Sequence, residues 1–367
     1  MYNILISGYY GFNNIGDESI LRTVIDNLRE KLGDVGITVL SQDPAQTSEK
    51  YGVQAAPRMD LKAIFRSVRQ CDLLLSGGGS LLQDATSARS ILYYLFILRL
   101  AQLMGKKTFI YSQGIGPITS KRNRRLTRRV LRRASGIVVR DKKSRLLLIE
   151  IGVPEELIHV TADPVLRVKK PDNTLGLDIL KQEGCPRDPG KLTIGWAMKS
   201  RKPNPTFYQE IRKCIQWLQD EYGADSVLIP FFYDEDLSVC EAIADGLEGQ
   251  ASCLRQKYLS EEMLSIIGSM DVLVGVRLHS LIYAAVMGVP MLGISYDPKV
   301  GSFLASIYQP TYFDVENFTL ETFQTAFRQT YDNREAICQT TARRLDELIS
   351  RLDRNEELIR DIMETNN

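Results

Sequence analysis

The chain is short of histidine, of paired cysteines, of net charge and of long apolar runs. Only His159 and His279 occur in 367 residues, and the six cysteines (Cys71, Cys185, Cys214, Cys240, Cys253 and Cys338) include no C-x-x-C pair. A Cys/His zinc site has no ligand set here, no metal is expected, and scattered thiols fit a reducing, cytoplasmic setting. Lys and Arg number 46 against 45 Asp and Glu, leaving a net charge of +1. No global field draws such a chain to nucleic acid, so an anionic partner must be met by a local cluster. The opening Met-Tyr-Asn-Ile-Leu-Ile-Ser-Gly lacks a basic leader and reads as a strand rather than a secretion signal. The most apolar run, 91–98, meets Arg99 after eight residues, whereas a membrane span needs about 18 to 20. No crossing of a membrane is expected.

What is present is an alternation of short apolar runs with helical periodicity. Residues 3–7 form an apolar run; after a Gly/Asn loop, 17–32 place Ile20, Leu21, Val24, Ile25, Leu28 and Leu32 at helical spacing. Further strand-like runs fall at 37–40, 72–76, 108–112, 136–139 and 157–160. Between 164 and 191 the pattern breaks, with Pro171, Pro186 and Pro189. A second alternation follows: strands at 192–197, 226–232, 270–276 and 290–295, helices at 210–221 and 238–247. The tail 320–363 keeps an apolar stripe through Ile337, Leu345, Leu348, Leu352, Ile359 and Ile362; 25 to 30 helical residues would reach about 40 Å. The expected architecture is α/β, two Rossmann-like doubly wound domains facing across a cleft. Its parts are an N-terminal domain at 1–165, a linker at 166–190, a C-terminal domain at 191–318, and C-terminal helices at 319–367 packing across both.

In open parallel sheets ligands gather at the C-terminal ends of strands. The first such loop, Gly-Tyr-Tyr-Gly-Phe-Asn-Asn-Ile-Gly-Asp-Glu at 8–18, is glycine-rich but does not fit G-x-G-x-x-G, so no bound dinucleotide is indicated. Asp17 reads equally as a helix N-cap or as a functional carboxylate. The second, Ser-Gly-Gly-Gly-Ser at 76–80, lets a ligand approach backbone closely, making Gly77, Gly78, Gly79 and Ser80 binding candidates. Gln-Gly-Ile-Gly-Pro at 113–117 reads as turn chemistry. Arg140 stands at a strand end; the structural alternative for it is an ion pair with Asp141 or Asp163.

The sharpest signal is 271–290. A strand ends near Val276, and a helix starting near His279 runs to a Gly288 cap, so Arg277 and His279 stand at a helix mouth that favours anions. An arginine fork grips carboxylate or phosphate, and an imidazole near neutral pH moves a proton. The alternative is an Arg/His pair tying the helix start to a neighbouring acid. His159 lies inside a strand-like run and reads as packed or surface. Residues 121–133 hold eight Lys/Arg and no acid. This is either a solvated helix face or a patch attracted to anionic lipid or a diphosphate head group, at about 1 kcal/mol per residue. The apolar stretch 91–104 reads as a buried helix, with an interfacial helix as the alternative.

Five ordered motifs together resemble the polysaccharide pyruvyl transferases: the 8–18 loop, Ser-Gly-Gly-Gly-Ser-Leu-Leu-Gln-Asp at 76–84, Gln-Gly-Ile-Gly-Pro at 113–117, Val-Arg-Asp-Lys-Lys-Ser at 139–144 and Gly-Val-Arg-Leu-His at 275–279. The likeness is strongest to the bacterial cell-surface anchoring type, which modifies a secondary cell-wall polymer. It implies a GT-B-like fold and phosphoenolpyruvate as donor substrate, with no cofactor. It also implies an acceptor N-acetylmannosamine, linked to N-acetylglucosamine on undecaprenyl diphosphate, that becomes a 4,6-ketal. Carried over residue by residue, the resemblance assigns Arg277, His279 and Arg140 to phosphoenolpyruvate, and less directly Lys299 in Tyr-Asp-Pro-Lys.

On this reading His279 protonates the C3 methylene of the donor, and a sugar hydroxyl attacks C2. Phosphate then leaves and the second hydroxyl closes the ketal. The N-terminal domain is the expected acceptor side, with Asn14, Asp17 and the 77–80 glycine loop in contact with substrate, and Asp17 or Glu18 as base across the cleft. The expected location is cytoplasmic, peripheral at the inner face of the membrane through 121–133. Alternatives are a GT-B glycosyltransferase with a nucleotide-sugar donor and an anionic-lipid binding module without turnover.

Overall fold

The computed structural model describes residues 2–85, 88–199, 204–247, 249–295, 298–309 and 313–364. The chain divides into two units, Met1–Val168 with Leu348–Asn367, and Lys169–Glu347.

The first unit runs β1 (Tyr2–Ser7), α1 (Ile15–Leu32), β2 (Val35–Ser41), α2 (Pro44–Tyr51), β3 (Gln54–Pro57), α3 (Leu61–Gln70), β4 (Leu73–Ser76), α4 (Ala88–Leu103), β5 (Lys107–Gln113), α5 (Lys121–Leu131), β6 (Gly136–Val139), α6 (Lys142–Glu150) and β7 (Ile158–Val160). Among the described residues the strands form a seven-stranded parallel sheet, β3-β2-β1-β4-β5-β6-β7. Its inner strands read as unbroken apolar runs because helices cover them: Leu73, Leu74 and Leu75 of β4 are all buried.

The second unit runs α7 (Asn173–Gln182), β8 (Thr193–Ala197), α8 (Pro205–Tyr222), β9 (Asp225–Leu228), α9 (Tyr233–Ala244), β10 (Ala251–Cys253), α10 (Ser260–Gly268), β11 (Val272–Gly275), α11 (Leu278–Met287), β12 (Met291–Ser295), α12 (Pro298–Ser306), β13 (Phe313–Asp314), α13 (Leu320–Asp332) and the first part of α14 (Arg334–Glu364). Its described strands pair in parallel as β10-β9-β8-β11-β12-β13. In each sheet the strand order reverses once, between β1 and β4 and between β8 and β11. Loops after those strands splay apart at such a point and leave room for a ligand.

Several elements differ from the sequence reading. The edge strands β3, β10 and β13 carry no long apolar run, since an edge strand is covered less than an inner one. The stretch expected as a linker, 166–190, contains α7, which is packed into the second unit: Gly176 N–H donates to Ser265 Oγ at 2.7 Å, and a Cβ on Gly176 would fall 2.2 Å from Ser265 O. Pro171 and Gly176 read as loop signals, yet the glycine is there to let α7 and α10 touch. α1 begins earlier than expected, with Asn14 as N-cap accepting from Gly16 N–H at 3.1 Å, so Asp17 belongs to the first turn and is not the cap.

The helical tail breaks at Asn333. α13 joins the second unit's core, where Phe323 stacks on Trp196 with ring centroids 5.5 Å apart. α14 has 31 residues, about 46 Å of helix. Its end is fastened within the first unit: Tyr111 donates to Glu356, and Arg167 pairs with Asp353 at 3.1 Å and Glu356 at 3.4 Å. Among the described residues no helix is long and apolar enough to cross a membrane.

Candidate active site

In the second unit the charged residues gather on one edge of the sheet. Lys199 follows β8, Glu235 and Asp236 open α9 after β9, Arg277 and His279 follow β11, and Lys299 opens α12 after β12. Tyr296 and Asp297, which precede Lys299 in its motif, lie outside the described residues.

Arg277 is the N-cap residue of α11, whose C-terminus closes on Gly288 at φ +75. Its guanidinium, 11% exposed, clasps Asp236 through two bonds, Nε to Oδ2 at 2.7 Å and Nη2 to Oδ1 at 2.6 Å, and reaches Glu235 at 3.0 Å. It also lies over the Phe232 ring, 5.4 Å from the centroid. Asp236 is fully buried and takes a third bond from Phe232 N–H at 2.8 Å. Burial pushes its carboxyl above the usual range, against the pull of Arg277.

Lys199, with a side chain 16% exposed, lies 3.6 Å from Glu235. Burial first, and then the Arg277 charge, lowers its ammonium below the ordinary lysine value, while Glu235 and Asp236 pull it back. His279 is half-buried in the first turn of α11. The acids that the sequence reading set against function are therefore present, and they fix the plane of the guanidinium beside the helix start.

In the first unit the strand-end loops are tied to each other. Gln113 Nε2 donates to Ser76 Oγ at 2.7 Å and to Gly77 O at 3.1 Å, and Gly114 N–H to Gly79 O at 2.8 Å. Arg140 bonds Asp163 at 2.7 Å and Ser80 Oγ at 3.2 Å; the Arg140 and Asp163 side chains are each only 6% exposed. The Asp163 pair weighed at the sequence level is thus formed. Gly114 is open for this reason, since a Cβ there would fall 2.8 Å from Arg140 Nε.

Gly79 adopts φ +74, and a Cβ would fall 2.9 Å from Asp17 Oδ1, which brings the two candidate loops together. Gly79→Ala is expected to cost about 1 to 3 kcal/mol through the left-handed backbone alone, measured by urea unfolding. Glu18 is buried and engaged by Gly11 N–H at 2.9 Å, by Tyr51 and by Lys50 at 3.5 Å. It holds the loop rather than facing a substrate, whereas Asp17 is half-buried.

Asp84 ends the glycine motif as a clamp. It accepts from Thr119 N–H at 2.7 Å, Ser120 N–H at 3.0 Å and Asn123 Nδ2 at 2.9 Å. Burial works upward on this carboxyl, but those bonds hold it below its ordinary value of 3.8. A depressed carboxyl contributes stability above its unfolded value and loses it as pH falls through the folded one. Asp84→Asn is expected to destabilise at neutral pH, with the gap to wild type closing below about pH 4; melting curves across that range check it.

Sequence reasoning missed Lys199, Glu235, Asp236 and Arg58. Arg58 is buried, donates to Gly8 O at 3.1 Å and lies 4.7 Å over Tyr93 and 5.0 Å over Phe12, bracing the first loop. The one signal for Asp236 was an acid in the first turn of a helix that follows a strand. Among the described residues no group of three His, Cys, Asp or Glu side chains could hold a metal ion.

No curated protein matches the chain by sequence. Solved structures do match over its length. HepE of Anabaena in complex with UDP and glucose covers 100% of both chains at 12% identity and TM-score 0.64. UDP-GlcNAc 2-epimerase from Neisseria meningitidis bound to UDP-GlcNAc covers 100% of both at 14% and 0.63. A glycosyltransferase from Rickettsia africae covers 100% of this chain and 99% of its own at 12% and 0.65. At such identity the likeness shows the fold alone, the two-sheet GT-B type. The model of the family described as polysaccharide pyruvyl transferase matches residues 14–298. That match takes in the end of the first loop from Asn14, the 76–80 glycine loop, Arg140 and the Arg-Leu-His segment, and the chain belongs to the polysaccharide pyruvyl transferase family, a family of transferase enzymes.

Proposed function

We propose that the protein transfers pyruvate from phosphoenolpyruvate to N-acetylmannosamine of a lipid-linked disaccharide on undecaprenyl diphosphate. The products are a 4,6-ketal and inorganic phosphate, and the step serves a secondary cell-wall polymer of the cell-surface anchoring kind. The observation that carries this is the Arg277 guanidinium clasped by Asp236 at the mouth of α11, with His279 two residues on.

Arg277 and Lys199, balanced by Asp236 and Glu235, join the α11 N-terminus in a set of N–H donors where the donor's carboxylate or phosphate can lodge. Lys299, on the neighbouring strand end, adds to it. With Nε and Nη2 held by Asp236 and Glu235, the guanidinium is fixed in place beside the helix start. His279 delivers a proton to C3 of the enol; as the C2 cation develops, one sugar hydroxyl bonds to C2 and gives up its proton. The C2–O bond to phosphate then breaks, the second hydroxyl bonds to C2 and loses its proton, and the ketal is complete.

The acceptor is assigned to the first unit's loops, with Asn14, Asp17, Gly77, Gly78, Gly79 and Ser80 as its contacts and Asp17 as the proposed base. Arg140 is proposed as an anion-binding residue of the same unit. With a lipid-linked acceptor, the proposed place of work is the cytoplasmic face of the membrane, with the basic run 121–133 toward the lipid.

Incubation with phosphoenolpyruvate and a synthetic lipid-linked disaccharide should yield one phosphate per ketal, read by phosphate assay and mass spectrometry. Release of a nucleoside diphosphate from a nucleotide sugar, with phosphoenolpyruvate untouched, would show the glycosyltransferase chemistry instead.

A further inference from the structure

We infer that the outer face of α3, α4 and α5 docks on an anionic phospholipid bilayer. In the first sheet the connections through α3, α4 and α5 run in one direction and those through α1 and α2 in the other. Right-handed crossovers then put the first three helices side by side on one face, and α4 touches both α3 and α5.

Although the whole chain is balanced, residues 85–140 hold thirteen Lys/Arg and no Asp or Glu. Arg125, Arg128, Arg129, Arg132 and Arg133 are exposed, and among the described residues none of these five is in an ion pair. This concentration reaches well beyond the 121–133 run.

Large apolar side chains stand out of the same surface. Leu61 is 67% exposed, Phe65 50% and Leu103 68%, with Met59 and Phe96 also exposed. They interleave with the cations: Leu61 and Phe65 share a surface hollow with Lys62, Arg66 and Arg69, and Leu103 shares one with Arg99, Lys106 and Arg133. A merely solvated basic face gains nothing from exposed Leu and Phe, and a phosphate backbone of nucleic acid offers them no partner. A bilayer satisfies both kinds of group at once, with headgroup phosphates for the cations and the acyl boundary for the apolar side chains. This deepens the lipid-linked acceptor reading, on which its biological sense rests.

The test is co-sedimentation of the full chain with phosphatidylcholine vesicles, with and without phosphatidylglycerol. Binding is expected only with the anionic lipid and should weaken as salt rises. The triple variant Arg125→Glu, Arg129→Glu, Arg133→Glu should bind at least about 100-fold more weakly, at roughly fivefold per basic residue lost. The variant Leu61→Ser, Phe65→Ser, Leu103→Ser should keep low-salt binding and lose it near physiological salt. All these side chains are exposed, and circular dichroism confirms the fold of each variant. Equal sedimentation with both vesicle types, unchanged binding by both variants, or binding of duplex DNA in place of vesicles would overturn the inference. Pyruvate transfer to a water-soluble acceptor should be unchanged in both variants, so failure of lipid docking is distinguishable from failure of the reaction.

Discussion

His279→Ala should lower turnover by about 10² to 10⁴-fold, the range for loss of a general acid. The enol of phosphoenolpyruvate becomes electrophilic at C2 only as C3 takes a proton, so the group that supplies it acts in the transition state and not in binding. The loss should therefore fall on kcat more than on KM. His279 stands on the second residue of α11 and is half-buried, so truncation leaves the buried face of the helix, Leu281, Ile282 and Ala285, in place. An unchanged melting temperature is the expected companion result. A variant with wild-type kcat would remove His279 from the reaction.

Arg277→Ala should affect both stability and activity. Asp236 is fully buried and, among the described residues, would keep one hydrogen bond, from Phe232 N–H, with the Lys199 charge as its remaining cation. Breaking a buried ion pair by removing one partner costs about 3 to 5 kcal/mol, against a total of roughly 5 to 15 for a folded domain. The effect has a pH signature. With the Arg277 charge gone, the Asp236 carboxyl titrates still further above its unfolded value. A raised carboxyl favours folding below that unfolded value and the advantage is lost as pH rises through the folded one. The stability gap to wild type should thus narrow as pH is lowered from 7.5 towards 4. Adding Asp236→Asn to Arg277→Ala should recover much of the stability and none of the activity. Urea unfolding at several pH values measures this; a gap independent of pH would mean that the buried charge is not the cause.

The strand-end loops were legible because close backbone approach needs glycine, and glycine runs are visible in a sequence: the 76–80 loop and the 8–18 loop do meet, through Gly79 and Asp17. The Arg277 clasp was not legible. Its partner Asp236 lies 41 residues away, and nothing local distinguishes that acid from Asp234 beside it. Asp163 was foreseeable as the partner of Arg140 because it ends the next segment after the adjacent strand. Lys199 was hidden since an exposed and a half-buried lysine look alike in a sequence. α7 was masked by Pro171, which stands just before the Asp172 N-cap, and by Gly176, which marks a loop by local rules but here admits the neighbouring helix. Edge strands were lost for the converse reason: β3, Gln-Ala-Ala-Pro, owes its place to pairing with β2 rather than to any apolar pattern.

The proton transfer to C3 is tested most directly by running the reaction in deuterium oxide with phosphoenolpyruvate and the lipid-linked acceptor, and reading the ketal methyl by mass spectrometry. With wild-type protein the methyl should carry one deuterium from the exchanged donor, accumulating at least about 100 times faster than with His279→Ala. A methyl free of deuterium, or equal accumulation by the two proteins, would contradict protonation at the mouth of α11.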